Sequence, residues 1–139
     1  MSIQNSILQA NDLSLGYKKG KKSNIVAEQI SFSLKKGKLI SLIGANGIGK
    51  STLLLQVALS LTQTRVLYVT GEESEQQIKL RADRLAAKSE SLYILTETNT
   101  QSIFRHLVDL EPELIIVDSI QTLFSDQIES GPGSVSQIR

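Results

Sequence analysis

Cysteine and tryptophan are absent from this chain, and histidine and methionine occur once each. No disulfide can staple the fold and no cysteine-ligated zinc can organise it, so stability must come from an apolar core. The sole histidine, His106, has no partner spaced for a catalytic triad or a metal site and reads as structural. Aromatic residues make up only 4% of the chain, which leaves Leu, Ile, Val and Ala to build that core. Charge of one sign is lacking too: the formal net charge is +1, giving no global electrostatic case for nucleic acid or an anionic membrane. No apolar run approaches the roughly 20 residues that span a bilayer, and Met1–Asn5 has no signal-peptide character. A soluble, cytoplasmic protein without membrane contact of its own is expected, and 139 residues suit a single domain.

What is present is concentrated in one stretch. Residues Gly44 to Ser51 read G-A-N-G-I-G-K-S, an uninterrupted G-x-x-x-x-G-K-[ST] phosphate-binding loop. Glycines let the backbone wrap a polyphosphate so that many N–H donors converge on it. Gly44, Ala45, Asn46, Gly47, Ile48, Gly49, Lys50, Ser51 and Thr52 are therefore the expected nucleotide-binding residues. Lys50 brings positive charge to the β- and γ-phosphates and the Ser51 hydroxyl is placed to ligate Mg²⁺. ATP or ADP and Mg²⁺ are the expected ligands. The apolar run Leu39–Ile43 is expected as the strand feeding the loop, with a helix from Lys50 to Leu61 after it.

Upstream, Ile7–Leu15 and the alternating set Ile30, Phe32, Leu34 predict short antiparallel strands beside that feeding strand. The lysine-rich turn Lys18–Lys22 reads as a solvated edge guard. Downstream, helix and strand alternate: strands over Arg65–Thr70, Leu92–Leu95 and Leu114–Val117, helices over Glu72–Ala87 and Asn99–Leu110. Apolar strands separated by helices imply a buried parallel sheet, hence an α/β fold. Glu129–Arg139, with little apolar content, is expected to be a flexible tail.

Ligands of open α/β sheets bind at the carboxyl ends of the strands, which makes the strand-ending residues informative. Leu114–Val117 ends in Asp118, an acid suited to hold Mg²⁺ through a water. Arg65–Thr70 ends in Gly71-Glu72-Glu73, and a Glu at such a tip can orient or deprotonate an attacking water. Thr70-Gly71-Glu72-Glu73 also fits a capping box, so one Glu is expected to cap and the other to act on water. With Lys50 they form the expected catalytic set, Glu72 ahead of Glu73. Lys79, Arg81 and Arg84 read as a solvated helix face, and Tyr17 as either strand-end packing or a platform for a base.

The chain resembles two families, which change over inside the loop. From about Ile7 to Leu54, L-S-L-G-Y, I-S-F-S-L-K-K-G-K-L-I-S-L-I-G and A-N-G-I-G-K-S-T-L-L resemble the start of an ABC transporter ATPase domain. That resemblance implies that Tyr17 stacks on adenine. From about Gly47 to Arg139, G-I-G-K-S-T-L-L-L-Q-V-A, V-L-Y-V-T-G-E-E-S-E-Q-Q-I-K-L-R-A-D-R-L, L-I-I-V-D-S-I-Q-T-L and P-G-S-V-S-Q-I-R resemble the RecA-like core of the bacterial RadA/Sms DNA-repair ATPases. It implies a three-layer P-loop NTPase fold, an acid of the Glu72–Glu73 pair preparing the water, and Asp118 as Walker B acid. Nothing matches the ABC signature L-S-G-G-Q, nor the zinc finger, K-N-R-F-G motif and protease-like domain of the RadA type. The expectation is an engineered chimera: an ABC-like β part over 1–48, a RadA-like αβ part over 49–128 and the tail over 129–139. Nucleotide binding with weak ATPase activity is expected, with no nucleic-acid partner in the absence of those segments. The sheet of such a chain ends early, so self-association through an unpaired edge is expected as well.

Overall fold

The computed structural model describes residues 6–19, 22–85 and 88–128. Two compact units divide the chain, Met1–Leu53 and Leu54–Arg139. The tip of the lysine turn and the expected flexible tail lie outside the described residues.

The first unit is a ribbon of two strands, β1 (Ser6–Lys19) and β2 (Lys22–Lys35), paired antiparallel from Ser6 opposite Lys35 to Lys19 opposite Lys22. Alternation of apolar and polar residues gives each strand one inward face. Among the described side chains of the ribbon, Leu15 and Leu34 are buried. The ladder slips between Ala10 and Leu13, beside Asp12 at φ 51°, whose N–H donates to Ser31 Oγ at 2.9 Å. Such bulges bend and twist a long ribbon.

The expected strand Leu39–Ile43 is not formed. Residues 38–45 carry no regular structure, and Leu39 and Ile43 are 94% and 91% exposed. The physical reason lies in pairing: a strand needs a ladder, and among the described residues β1 and β2 pair only with each other. The turn at Lys36–Gly37, closed by Lys38 N–H on the Lys35 carbonyl, carries the chain out of the ribbon.

The second unit follows the expected alternation. Helix α1 (Lys50–Ser60) enters it from Leu54 on. Then come β3 (Val66–Thr70), α2 (Glu75–Arg84), β4 (Leu92–Thr96), α3 (Thr100–Leu110), β5 (Leu114–Asp118) and a 3₁₀ turn over Ile120–Thr122. The three strands are parallel in the order β4-β3-β5. Being central, β3 is buried along its whole length. Its side chains alternate between two cores. Val66 and Tyr68 pack with Leu55, Ala58 and Leu59 of α1, Ile78 of α2 and Ile116 of β5. Leu67 and Val69 pack with Ile103 of α3 on the opposite face. Helix, sheet and helix thus form three layers, and the α/β class is borne out.

Helix α2 starts three residues later than expected, because the capping box is Ser74 with Gln77 rather than Thr70 with Glu73. Ser74 Oγ accepts the Gln77 N–H at 3.3 Å and Gln77 Oε1 accepts the Ser74 N–H at 2.8 Å. Helix α3 is capped by Asn99, whose Oδ1 accepts the Ser102 N–H at 3.0 Å, and ends at the left-handed Glu111 before Pro112. Among the described residues, no helix is long and apolar enough to cross a membrane.

Ile78 is the one buried side chain of α2 and is fully enclosed, whereas Leu80 is 59% exposed. Ile78→Ala is expected to lower unfolding free energy by about 2–5 kcal/mol. Leu80→Ala should stay within about 0.5 kcal/mol of the parent. Urea unfolding followed by circular dichroism checks both, and equal midpoints would contradict this packing.

Candidate functional site

Within the first unit, the loop runs as an irregular Gly44–Ala45 segment, a turn at Asn46–Gly47 and a bend at Ile48–Gly49 before α1 begins at Lys50. Gly49 holds φ at +96°, and a Cβ there would collide with Val26 Cγ1, so only glycine fits. Lys50 Nζ folds back and donates to the carbonyls of Gly44 at 2.6 Å and Ala45 at 2.8 Å. Among the described residues, none of the N–H groups from Ala45 to Thr52 finds a hydrogen-bond partner. The first turn of α1, which holds Ser51 and Thr52, contains no acid. Unpaired donors at a helix start, a lysine beside them and no competing carboxylate fit a polyphosphate. Tyr17 lies in β1 opposite Asn24, and its side chain falls outside the described residues.

In the second unit the polar groups gather at the carboxyl ends of the strands. The parallel register sets Thr70, last in β3, opposite Asp118, last in β5. Thr70 is 1% exposed, and its Oγ1 accepts the N–H groups of Glu72 at 3.4 Å and Glu73 at 3.3 Å. That side-chain turn fixes the exit of β3. Gly71 admits no side chain, since a Cβ would run into Thr98 and Thr122.

The two glutamates then part company. Glu72 is exposed and its Oε1 accepts the Ser119 hydroxyl at 2.6 Å, tying the exit of β3 to the exit of β5. Glu73 turns the other way, to an ion pair with Arg81 of α2. Among the described residues, its Oε2 is buried without a partner, as is Arg81 Nη1. Arg81 is therefore partnered and partly buried rather than part of a solvated face; Lys79 and Arg84 are exposed as expected.

Asp118 is partly buried and accepts the Tyr68 hydroxyl on Oδ2 at 2.7 Å. Burial first, and then the bond to Asp118, push the Tyr68 phenol above its usual range, so it remains a donor at any physiological pH. Glu97, after the end of β4, accepts the N–H groups of Asn99 at 3.0 Å and Thr98 at 2.8 Å. These donors hold its carboxyl below the usual carboxylate range. A groove of about 310 Å³ opens between the exits of β3 and β4, lined by Thr70, Glu72, Glu73, Ser74, Glu97 and Thr98.

The structure thus brings Glu72, Glu73 and Asp118 to neighbouring strand ends of one unit, and places Gly44–Thr52 as one loop of the other. Sequence reasoning missed Tyr68 and Ser119. Tyr68 looks like any apolar strand residue until the register shows the length of its ring reaching toward Asp118. Ser119 is a small polar residue whose role depends on pairing between strands. For Tyr68 a signal was present: a hydroxyl in the centre of a fully buried strand demands a partner.

Residues 29–135 match the AAA domain family. The chain is 50% identical over 105 residues to the DNA repair protein RadA of Halalkalibacterium halodurans, covering 74% of this chain and 23% of that protein. It is 51% identical over 106 residues to the RadA of Bacillus subtilis, covering 75% and 23%. Against the RadA of Streptococcus pneumoniae it is 52% identical over 104 residues, covering 74% and 25%. The chain spans about a quarter of the length of these curated relatives. With its parallel sheet layered between helices and a phosphate loop before it, the chain belongs to the AAA domain family and carries a RadA-like P-loop ATPase core of RecA type.

Proposed function

We propose that this chain binds Mg–ATP and hydrolyses it slowly. The observation that carries the reading is the row of unpartnered N–H groups from Ala45 to Thr52 beside Lys50. These donors lie on exposed or half-exposed residues, open to a ligand, and a polyphosphate engages many of them at once. Lys50 exchanges the Gly44 and Ala45 carbonyls for phosphate oxygens, and Ser51 and Asp118 hold the metal, Asp118 through water. When bound, Mg²⁺ supplies positive charge that offsets developing charge on the phosphates.

Glu72 is the residue proposed to orient or deprotonate the attacking water. Its carboxylate is exposed and leans on Ser119, next to Asp118, whereas Glu73 is committed to Arg81. Slow turnover follows from the cations. Lys50 is released by nucleotide binding, but Arg81 is committed to Glu73 and must leave that pair before it can meet transition-state charge.

The same reading includes an ABC-type front, residues 7–54, joined at the loop to the RadA-type core as a chimera. It is supported by L-S-L-G-Y at Leu13–Tyr17 and by a family match that starts at residue 29, after most of the β1–β2 ribbon. That match also spans Ile30–Gly44, residues that the chimera reading assigns to its ABC-type front. Tyr17 is then the adenine platform. Action in DNA repair, taken from the name of the relatives, is a second reading; a net charge of +1 gives it no electrostatic footprint. Self-association is proposed through β5, an outer strand whose Ile115 and Val117 remain 44% and 37% exposed.

Calorimetric titration with ATP and ADP, with and without Mg²⁺, tests the binding site. Lys50→Ala is expected to weaken binding at least about tenfold, about 1.4 kcal/mol, and Tyr17→Ala to weaken it for adenine nucleotides. Binding as tight as the parent's in Lys50→Ala would overturn the site. For turnover, Glu72→Gln should abolish phosphate release while Glu73→Gln leaves a measurable rate; the reverse order would exchange their roles. Sedimentation velocity is expected to reveal a dimer that an Ile115→Lys, Val117→Lys variant loses, and a parent monomer at all concentrations would remove the edge proposal.

A further inference from the structure

We propose that Tyr68 is a positioning residue for the metal site: its hydroxyl fixes the Asp118 carboxylate so that one oxygen is presented to a water of Mg²⁺. This rests on the reading of Asp118 as the metal-holding acid.

Tyr68 is 0% exposed at the midpoint of β3, in a core otherwise made of Leu, Ile, Val and Ala. Phenylalanine would fill that space as well, and an unpaired hydroxyl there would be destabilising. The hydroxyl is accounted for by one bond, to Asp118 Oδ2 at 2.7 Å. Register explains how two residues on different strands meet. Tyr68 lies opposite Ile116, and Asp118 stands two residues further along β5, on the same face as Ile116. Two strand residues rise about 6.6 Å, a span the length of a tyrosine ring and hydroxyl can bridge.

The bond engages only Oδ2. Among the described residues, Oδ1 has no hydrogen-bond partner. A carboxylate held by a hydroxyl donor on one oxygen loses its freedom to rotate, and such charge-assisted bonds are the strong ones. Orientation matters for this ion. Mg²⁺ demands near-ideal octahedral geometry, and groups that orient a metal's ligands typically change affinity 10–100-fold when removed. The donor comes from inside the core, where solvent cannot replace it. Glu72 and Ser119 engage each other at the same strand ends, so the Tyr68 contact is separate from the groups proposed to act on water.

The test reads metal binding rather than turnover. ADP affinity is measured by calorimetry in EDTA and across a Mg²⁺ series for the parent, Tyr68→Phe and Asp118→Asn. Tyr68→Phe is expected to keep the EDTA affinity within about twofold and to need about 10–100-fold more Mg²⁺ for half of the metal-dependent gain. A double variant should lose no more than Asp118→Asn alone. If Asp118→Asn loses the gain and Tyr68→Phe keeps it, the positioning role is wrong and the Asp118 reading stands. If neither variant changes the gain, both fall. Should Tyr68→Phe fail to fold, 3-fluorotyrosine is incorporated at the three tyrosines of the unsubstituted chain. The Tyr68 resonance, assigned with Tyr17→Phe and Tyr93→Phe, is expected to shift when Mg²⁺ joins bound ADP. A resonance that does not respond would overturn the proposal.

Discussion

Everything in the second unit depends on the parallel pairing of β3 with β5, in which Thr70 stands opposite Asp118. Parallel pairing brings the carboxyl ends of both strands to one edge of the sheet, and side chains alternate strictly along each strand. A slip of one residue would turn Tyr68 away from Asp118 and send the β5 side chains to the opposite core. The burial of β3 from Val66 to Thr70 is therefore also what assembles the polar groups at its end. Packing between layers and chemistry at the strand ends are one constraint, not two.

The polar groups at those ends are fixed by short local devices. Thr70 turns the backbone through two N–H groups, Ser74 and Gln77 start α2, and Gly71 yields space to Thr98 and Thr122. The result is a division of labour between adjacent glutamates. Glu73 anchors Arg81, a partly exposed pair that adds little to stability on its own. Glu72 is left at the surface, turned toward β5. The loop in the first unit is the complementary case: its donors are open, and its only charged group is occupied by its own carbonyls.

Much of this was legible in the chain. G-A-N-G-I-G-K-S named a ligand class because few other uses require those glycines, that lysine and that serine in order. Apolar runs at Val66–Val69 and Leu114–Val117, with helical segments between, gave the parallel sheet and the position of Asp118 at a strand end. What failed did so for physical reasons. Leu39–Ile43 has strand composition, but composition cannot supply the neighbouring ladder, and none forms. The cap of α2 moved from Thr70 to Ser74 because two overlapping stretches both offered capping residues, and only the packed structure distinguishes them. Arg81 appeared solvated because its partner lies eight residues away, beyond the spacing that pairs residues along one helix. The hydroxyl of Tyr68 signalled that a partner was needed, but not which one, because the contact joins residues 50 apart on different strands.

The central proposal is that Gly44–Thr52 takes the phosphates of a nucleotide. Hydrogen exchange on the whole chain, with and without Mg–ATP, measures it most directly. The account predicts slowed exchange in peptides covering 44–52 as Mg–ATP is added. Unchanged exchange over 44–52 at saturating Mg–ATP would contradict it.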